Sequence, residues 1–467
     1  MPKFMKFIPF YFKRIENGVL LSNILRDFII LTEDEFDLFS SKKVNIDTEL
    51  YKKLYAKNFI YDEAKIDEYA ATYLDTKASY FDSTFLHIFV VTLSCNLSCL
   101  YCQAATSQQS TNMSEEVARK AIDLALQSPS ENLQIEFQGG EPLLNFPIIR
   151  YIVEQFEKRN TTKKISFSVV TNTQCLTDEI LEYLIQHKVS LCFSIDGAKE
   201  VHDYNRPSKN GKSNYESVVH WISVCKQKGV RVGLLPTVTS KTIANPMAFM
   251  EQLYLMGARR FSIRELAPLG RCLQNWDLIG YSSEEFFDFY KKIISIINER
   301  WKNGQKIIES YTMMYMEQIY TKRPNRFTDF KSPCGAGIGQ MAYNWDGNVY
   351  ACDEGRMIAN NGDYTFKIGT VSDTYKKCIT SDSLRSISCA SCVEAHPVCH
   401  NCVFNPICGI CPAYNYAITK NLIGMGHRSS RCKNVQKICE YIIQQVENKT
   451  EIGKMFMEWL TVQDDFS

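Results

Sequence analysis

No stretch of the chain approaches the roughly 18 consecutive apolar residues that a bilayer-spanning helix needs, so a helical membrane protein is not expected. The N-terminal Met1-Pro2-Lys3-Phe4-Met5-Lys6-Phe7-Ile8-Pro9-Phe10 lacks a long apolar core and a small-residue cleavage site, and does not read as a signal peptide. An excess of one charge is also missing. With 53 Lys and Arg against 52 Asp and Glu, the net +1 gives no global pull toward nucleic acid or a membrane surface, and neither is expected as a partner. Cysteine is absent from residues 1–80 and frequent afterwards, 18 in all. Without an export signal, so many thiols point to metal ligation rather than disulfides, because the cytosol keeps thiols reduced. A cytoplasmic protein of a low-oxygen setting is expected. With 467 residues, 45% of them apolar, the chain is long enough for about three domains around a large core.

The densest chemistry is Cys95-Asn96-Leu97-Ser98-Cys99-Leu100-Tyr101-Cys102, after the apolar run Leu86-His87-Ile88-Phe89-Val90-Val91-Thr92-Leu93. Three thiolates grouped at a strand end can hold a four-iron cluster and leave its fourth iron without a protein ligand, open to a small molecule. The rival is a zinc knuckle, which favours ligand pairs completed by a fourth Cys or His, and none lies nearby. The CxxxCxxC spacing, with Tyr101 before the last cysteine, resembles the signature of radical S-adenosylmethionine (SAM) enzymes. The resemblance implies a [4Fe–4S] cluster on Cys95, Cys99 and Cys102 whose open iron chelates SAM, with the hard chemistry belonging to the cofactor.

From Leu86 onward, candidate strands centred on Phe89, Ile135, Ser168, Phe193, Leu234 and Ile263 alternate with helical stretches. Ser114 and Thr177, each followed by two acids, supply the caps and first-turn charges of helix starts. Six such units predict a parallel sheet curling into a partial (β/α)6 barrel, with sites beyond the C-terminal strand ends. The second strand ends in Gln138-Gly139-Gly140-Glu141-Pro142, where glycines allow close backbone approach and Glu141 can accept from an ammonium or ribose. The stretch matches the GGEP motif of the same family, which binds the methionine amino group. Thr171-Asn172-Thr173, Ser194-Ile195-Asp196-Gly197 and His202-Asp203-Tyr204-Asn205-Arg206 resemble further SAM-contacting segments. The resemblance assigns Ser194 and Arg206 to the methionine carboxylate and Asn172 or Asp196 to nearby polar contacts. Cys175, Cys192, Cys225 and Cys272 are isolated and read as buried free thiols.

Residues 1–80 read as three short strands at 11–15, 18–21 and 27–31, then a capping box at Thr32-Glu33-Asp34-Glu35 opening a helix through Phe39, and a second helix after Asp47. This unit resembles a winged-helix leader-peptide recognition domain, whose edge strand could capture an extended peptide. Residues 268–333 read as a mostly helical connection, with the aromatics and methionines of Tyr311–Tyr320 as core.

Ten cysteines run from Cys334 to Cys432. The pattern C-x12-G-x4-C over Cys334, Gly347 and Cys352, followed by C-x2-C-x5-C-x2-C, resembles the SPASM extension of peptide-maturing radical SAM enzymes, which binds two auxiliary [4Fe–4S] clusters. Carried over, Cys399, Cys402, Cys408 and Cys432 hold one cluster, and Cys334, Cys352 and Cys411 the other. No cysteine follows in 335–341, so the fourth ligand of that second set is open: Cys389 or Cys392, or none. Zinc ribbons are the physical rival, given the paired CxxC motifs and the neighbouring His396 and His400. Asp353 matches the position of an aspartate that accepts a substrate proton in sulfatase maturases, which nominates it as a catalytic base.

The expected organisation is a winged-helix-like domain at 1–80, a radical SAM partial barrel at 81–267, a helical connection at 268–333, a SPASM domain at 334–440, and a C-terminal helix and tail at 441–467. The nearest subtype by resemblance is the His-Xaa-Ser system radical SAM maturase, judged from 10–14, 86–93 and 334–337. The expected function is modification, by preference cross-linking, of a ribosomally made precursor peptide, using SAM and three [4Fe–4S] clusters. The expected partners besides the peptide are an external electron donor such as flavodoxin or ferredoxin and a second maturase. The alternatives are a sulfatase-type maturase making formylglycine and a zinc-stapled peptide-binding adaptor.

Overall fold

The computed structural model describes residues 6–81, 83–104, 111–159, 162–323, 327–424 and 426–462. The N-terminal unit is an antiparallel sheet of β1 (Phe10–Ile15), β2 (Gly18–Asn23) and β3 (Phe28–Leu31), followed by helices Glu33–Ser40, Glu49–Ala56 and Ile66–Thr76. The expected capping box is present: Thr32 Oγ1 accepts from Glu35 N at 3.1 Å, and the Glu35 carboxylate accepts from Thr32 N at 2.9 Å. Phe36, Phe39, Leu54 and Phe59 close a small core against Val19, Leu21, Ile29 and Leu31, alternate positions facing one side of the sheet.

Five parallel strands follow, each leading to a helix: β4 (Leu86–Thr92), β5 (Asn132–Gly139), β6 (Lys164–Thr171), β7 (Val189–Ser194) and β8 (Val232–Leu235). β4, central in the sheet, is buried almost throughout, as expected for a strand covered on both faces, whereas buried positions alternate along β5 and β7. Ser114 and Thr177 cap the helices Glu115–Leu126 and Asp178–Gln186, as their spacing implies.

The sixth strand is a correction. Instead of a strand centred on Ile263 and joined to the sheet, β9 (Arg260–Phe261) pairs in parallel with β10 (Ile308–Glu309), and only a bridge from Thr237 to Arg264 links it to the end of β8. Pro236, without an N–H, ends β8, and the Ile263 amide is spent on Glu309 Oε1 at 2.9 Å.

The other edge of the sheet is extended by strands the sequence did not reveal. From the cysteine-rich segment, β11 (Gln340–Tyr343) pairs in parallel with β4, followed by β12 (Asn348–Tyr350) and β13 (Lys367–Thr370) in antiparallel register. The order of the eight-stranded mixed sheet is therefore β13-β12-β11-β4-β5-β6-β7-β8. Strands of three or four residues among clustered cysteines carry too little periodicity to stand out. The residues between the two cysteine-bearing regions are mostly helical, dominated by Ser283–Lys302. The expected division at 440/441 falls inside the single helix Ser430–Glu447. No helix among the described residues is long and apolar enough to cross a membrane.

Candidate active site

The cysteine loop after β4 is held by backbone contacts on two sides. Ser98 N donates to Pro207 O at 2.8 Å and Leu100 N to Asn205 O at 2.9 Å, while Arg271 N donates to Cys102 O at 2.9 Å. On a third side, Gly140 N donates to Thr92 O (2.9 Å) and Glu141 N to Ser94 O (2.8 Å). Two glycines make this approach possible. A Cβ on Gly139, whose φ is +154°, would fall 2.0 Å from Thr92 O, and one on Gly140 would fall 2.2 Å from Ser94 O.

Glu141 is buried and uses both oxygens internally. Oε1 accepts from Thr171 Oγ1 at 2.6 Å and Leu143 N at 3.1 Å; Oε2 accepts from Asn172 N at 2.8 Å. Burial pushes its carboxyl up to about 7. Its geometry is that of a tie between the ends of β5 and β6, beside the backbone of Gly139 and Gly140. Pro142 is buried at the start of the turn Pro142–Asn145. Asn172 donates to Asn96 Oδ1 at 2.7 Å, tying the end of β6 to the cysteine loop.

Asp196 and Arg206 form a buried ion pair, with Nε and Nη2 on the two carboxylate oxygens at 3.0 and 3.1 Å. Asp196 also accepts from Tyr101 Oη (2.7 Å), Asn205 Nδ2 (3.3 Å) and Thr237 N (3.0 Å). The Arg206 guanidinium lies 5.2 Å from the Tyr101 ring centroid. Asp196 is fully buried and does not face the cavity, so the polar contact expected of it is taken up inside the protein. Ser194 and Arg206 do line the cavity.

That cavity, of about 560 Å³, collects residues far apart in sequence. From the strand ends come Cys95, Cys99, Tyr101, Cys102, Gln138 to Glu141, Asn172, Ser194 and Arg206; from the cysteine-rich segment come Asp353, Glu354, Met357, Cys411 and Arg431. Tyr290, Tyr311, Tyr315, Phe327, Phe330 and Tyr414 form an aromatic wall, so part of the stretch read as core also faces the site. Asp353 Oδ1 accepts both Arg356 Nη2 (2.6 Å) and Nε (3.1 Å). Sequence reasoning missed Glu136, Arg264, Glu265 and Arg431. Glu136 was discoverable: with Gln138 it is polar at alternate positions of β5 between buried Ile135 and Phe137, and its amide neighbour Gln138 donates to it.

The thiols of Cys95, Cys99 and Cys102 lie close enough to perturb one another, and burial raises all three, Cys95 to about 11 and Cys99 to about 12. In the cysteine field, Cys399, Cys402, Cys408 and Cys432 are mutual neighbours, and Cys352 neighbours Cys334 and Cys411. Cys352 and Cys411 each cap a helix, accepting from Gly355 N at 3.2 Å and Tyr414 N at 3.4 Å. These are the two groupings expected from the motif. Cys389 is exposed and Cys392 half-buried; the Cys392 thiol is flanked by Glu394, Cys389 and Lys77. Cys439, a residue the motif does not include, is buried beside Cys408 and Cys402, seven residues along the helix from Cys432. Cys175 is not isolated: its thiol accepts from Asn96 Nδ2 at 3.4 Å and neighbours Cys95.

Residues 89–253 match the family model of the Radical SAM superfamily. The chain carries a radical SAM domain. Among similar proteins are an uncharacterized protein of Methanocaldococcus jannaschii (32% identical over 181 residues, 39% of this chain and 62% of that one), the cysteine-type anaerobic sulfatase-maturating enzyme of Clostridium perfringens (24% over 333 residues, 67% and 84%), and the radical SAM cyclopropyl synthase TigE of Paramaledivibacter caminithermalis (23% over 324 residues, 65% and 64%). The chain thus spans less than two thirds of the length of the first and third. Similar solved structures include anSMEcpe with bound AdoMet (TM-score 0.67, 21% identity, 78% of this chain and 94% of that one) and Streptococcus suis SuiB bound to precursor peptide SuiA (0.54, 14%, 90% and 98%). At these identities the structures speak to the fold. Around the radical SAM domain, the α/β architecture with a mixed sheet is shared with these enzymes.

Proposed function

We propose that this protein is a radical SAM maturase that modifies a ribosomally made precursor peptide, with a cross-link between residues as the product. The observation that carries the reading is one cavity lined by Cys95, Cys99 and Cys102 together with Asp353 and Cys411. The donor set fits the cofactors. Three grouped thiols face the cavity, and backbone amides of helix Asp353–Ala359 and helix Pro412–Thr419 already point at Cys352 and Cys411 sulfur. Cys95, Cys99 and Cys102 would hold the first [4Fe–4S] cluster, Cys399, Cys402, Cys408 and Cys432 a second, and Cys334, Cys352 and Cys411 a third whose fourth position stays open. Held there together with SAM, such a cluster would supply radical chemistry able to remove a substrate hydrogen.

The chain's own residues do the rest. The backbone at Gly139 and Gly140, together with Ser194 and Arg206, orients SAM, and Asn172, Glu141 and the Asp196–Arg206 pair hold those elements to the cysteine loop. The aromatic wall excludes water from the substrate. Asp353, its Oδ1 fixed by Arg356, accepts the substrate proton at its other oxygen. Residues 1–80 are a winged-helix-like peptide-recognition unit, and the five parallel strands β4 to β8 form the partial barrel. The domain limits given above, a cytoplasmic location, an outside flavodoxin or ferredoxin as electron donor, a possible second maturase and membership of the His-Xaa-Ser subtype complete the reading. Support comes from the named activities of the sulfatase-maturating and cyclopropyl synthase relatives and from the precursor peptide bound to SuiB.

The test is anaerobic reconstitution with iron and sulfide, reduction, addition of SAM, and mass spectrometry for 5′-deoxyadenosine, against a Cys95/Cys99/Cys102→Ala variant. Product from the wild type alone supports the reading. Loaded protein that neither binds nor cleaves SAM refutes it, and stoichiometric zinc in place of iron would favour the adaptor. A sulfatase-type activity, suggested by the Clostridium perfringens relative, would reveal itself as formylglycine in a Cys- or Ser-containing sulfatase peptide.

A further inference from the structure

The N-terminal unit is bolted to the segment between Cys402 and Cys408. Ser22 Oγ donates to Val403 O at 2.5 Å and Arg26 Nε to Pro406 O at 2.9 Å; alongside, Lys13 pairs with Glu440 at 2.7 Å and Lys77 with Glu394 at 2.5 Å. Arg26 is the unusual member of this seam. It sits in the turn between β2 and β3 with a left-handed φ of +63°, is only 9% exposed, and makes no ion pair within 4 Å among the described residues. Its Nη2 donates to Thr76 O at 2.9 Å, but the buried Nη1 has no hydrogen-bond partner among the described residues. The guanidinium borders a small polar space of about 10 Å³ that Cys408 and Lys331 also line. Burial lowers its pKa only to about 10, so it remains cationic at neutral pH.

A cation held so far from water with no ion pair among the described residues, Glu394 acting on it only through space, is costly unless a further negative group faces it. A four-thiolate iron–sulfur cluster is such a group: it is anionic, and its potential responds to local charge and to N–H donors near its sulfurs. We propose that Arg26, from the N-terminal unit, belongs to the binding site of the auxiliary cluster on Cys399, Cys402, Cys408 and Cys432, directing its charge and its unpaired N–H toward Cys408. The inference rests on the cluster assignment proposed above. It makes the N-terminal unit a structural part of an electron-carrying site as well as a place for peptide to dock, and it gives that unit a means of setting the cluster's potential.

The experiment uses the full chain in a Cys95/Cys99/Cys102→Ala background, which removes the first cluster's signal. Iron and sulfide are quantified, and the cluster signal lost in Cys408→Ala is followed by EPR during a redox titration. Arg26→Gln is expected to move the midpoint of that signal to more negative potential, because the reduced, more anionic state loses its cation. Arg26→Lys, which keeps the charge with a different donor geometry, should move it less and in the same direction. An unchanged midpoint in Arg26→Gln, or in Arg26→Lys should Arg26→Gln not fold, overturns the role of Arg26 and leaves the space to a water molecule. Absence of any Cys408-dependent cluster in the parent instead overturns the cluster assignment itself, and the inference with it.

Discussion

Replacing Asp196 by Asn tests how the SAM-facing end of the fold is held. The carboxylate receives five hydrogen bonds, two of them from Arg206, a residue only 7% exposed. In Asp196→Asn one oxygen becomes an NH2 that must face a donor, either Arg206 Nη2 and Thr237 N–H or Tyr101 Oη and Arg206 Nε. The Arg206 charge is also left buried without its counterpart. Breaking a buried pair on one side costs about 3–5 kcal/mol. Arg206→Met should cost a similar amount, because it strands the carboxylate. The double variant Asp196→Asn/Arg206→Met strands neither charge, so its cost should fall below the sum of the singles by at least about 2 kcal/mol. A chain of several domains need not unfold in one step, so a local probe is needed. Hydrogen exchange by mass spectrometry over 194–206 and 235–239 reads the opening of this corner directly. A loss of about 3–5 kcal/mol corresponds to exchange faster by roughly 150- to 5,000-fold. If Asp196→Asn speeds exchange there by less than about tenfold, or if the singles are simply additive, the pair is screened by water and the positioning role is wrong.

Three further outcomes follow from the same geometry. Glu141 has its carboxyl raised from 4.5 to about 7, so between those values the folded protein holds a proton that the unfolded chain has released. Stability should therefore fall as pH rises across that window, by up to about 3 kcal/mol, and Glu141→Gln should flatten the fall in urea titrations run from pH 4.5 to 7.5. Gly140→Ala puts a Cβ 2.2 Å from Ser94 O and 2.7 Å from Leu93 O, both backbone, and should cost about 1–3 kcal/mol and lower iron loading of the first cysteine set; full iron content at wild-type stability would show the approach is not needed. Asp353→Asn keeps an oxygen for Arg356 but cannot take a proton, so peptide turnover should drop about 10²- to 10⁴-fold while SAM cleavage persists; loss of both together would remove it from the proton step.

Most of the candidate site was legible because it is written in short local patterns. The cysteine loop, the glycines after β5 and the interleaved cysteines each declare themselves within a few residues, and the structure gathers them as their spacing suggests. What escaped notice depends on partners distant in sequence. Asp196 and Arg206 look like ligand contacts when seen alone, and only the fold shows that they bind each other. Arg26 and Cys439 match no motif, and their neighbours lie hundreds of residues away or in another segment. The strand expected at Ile263 was lost to Pro236 and to the Glu309 carboxylate, neither of which a hydrophobic pattern weighs. The strands β11 to β13 are so short that their pairing with β4 and with each other, rather than their own sequence, makes them strands.

That last pairing bears on how the chain comes into being. β4, which delivers the first three cysteines, has β5 on one side and β11 on the other, so one side of it stays an open strand edge until residue 343 has been made. About 250 residues separate the two, which at ribosomal rates of roughly 5–20 residues per second is on the order of 12–50 s of exposure. Exposed edges recruit other strands. Nascent or truncated chains ending before β11 should therefore be the aggregation-prone species, and metal loading of the cysteine loop is best timed after the C-terminal segment has closed the sheet.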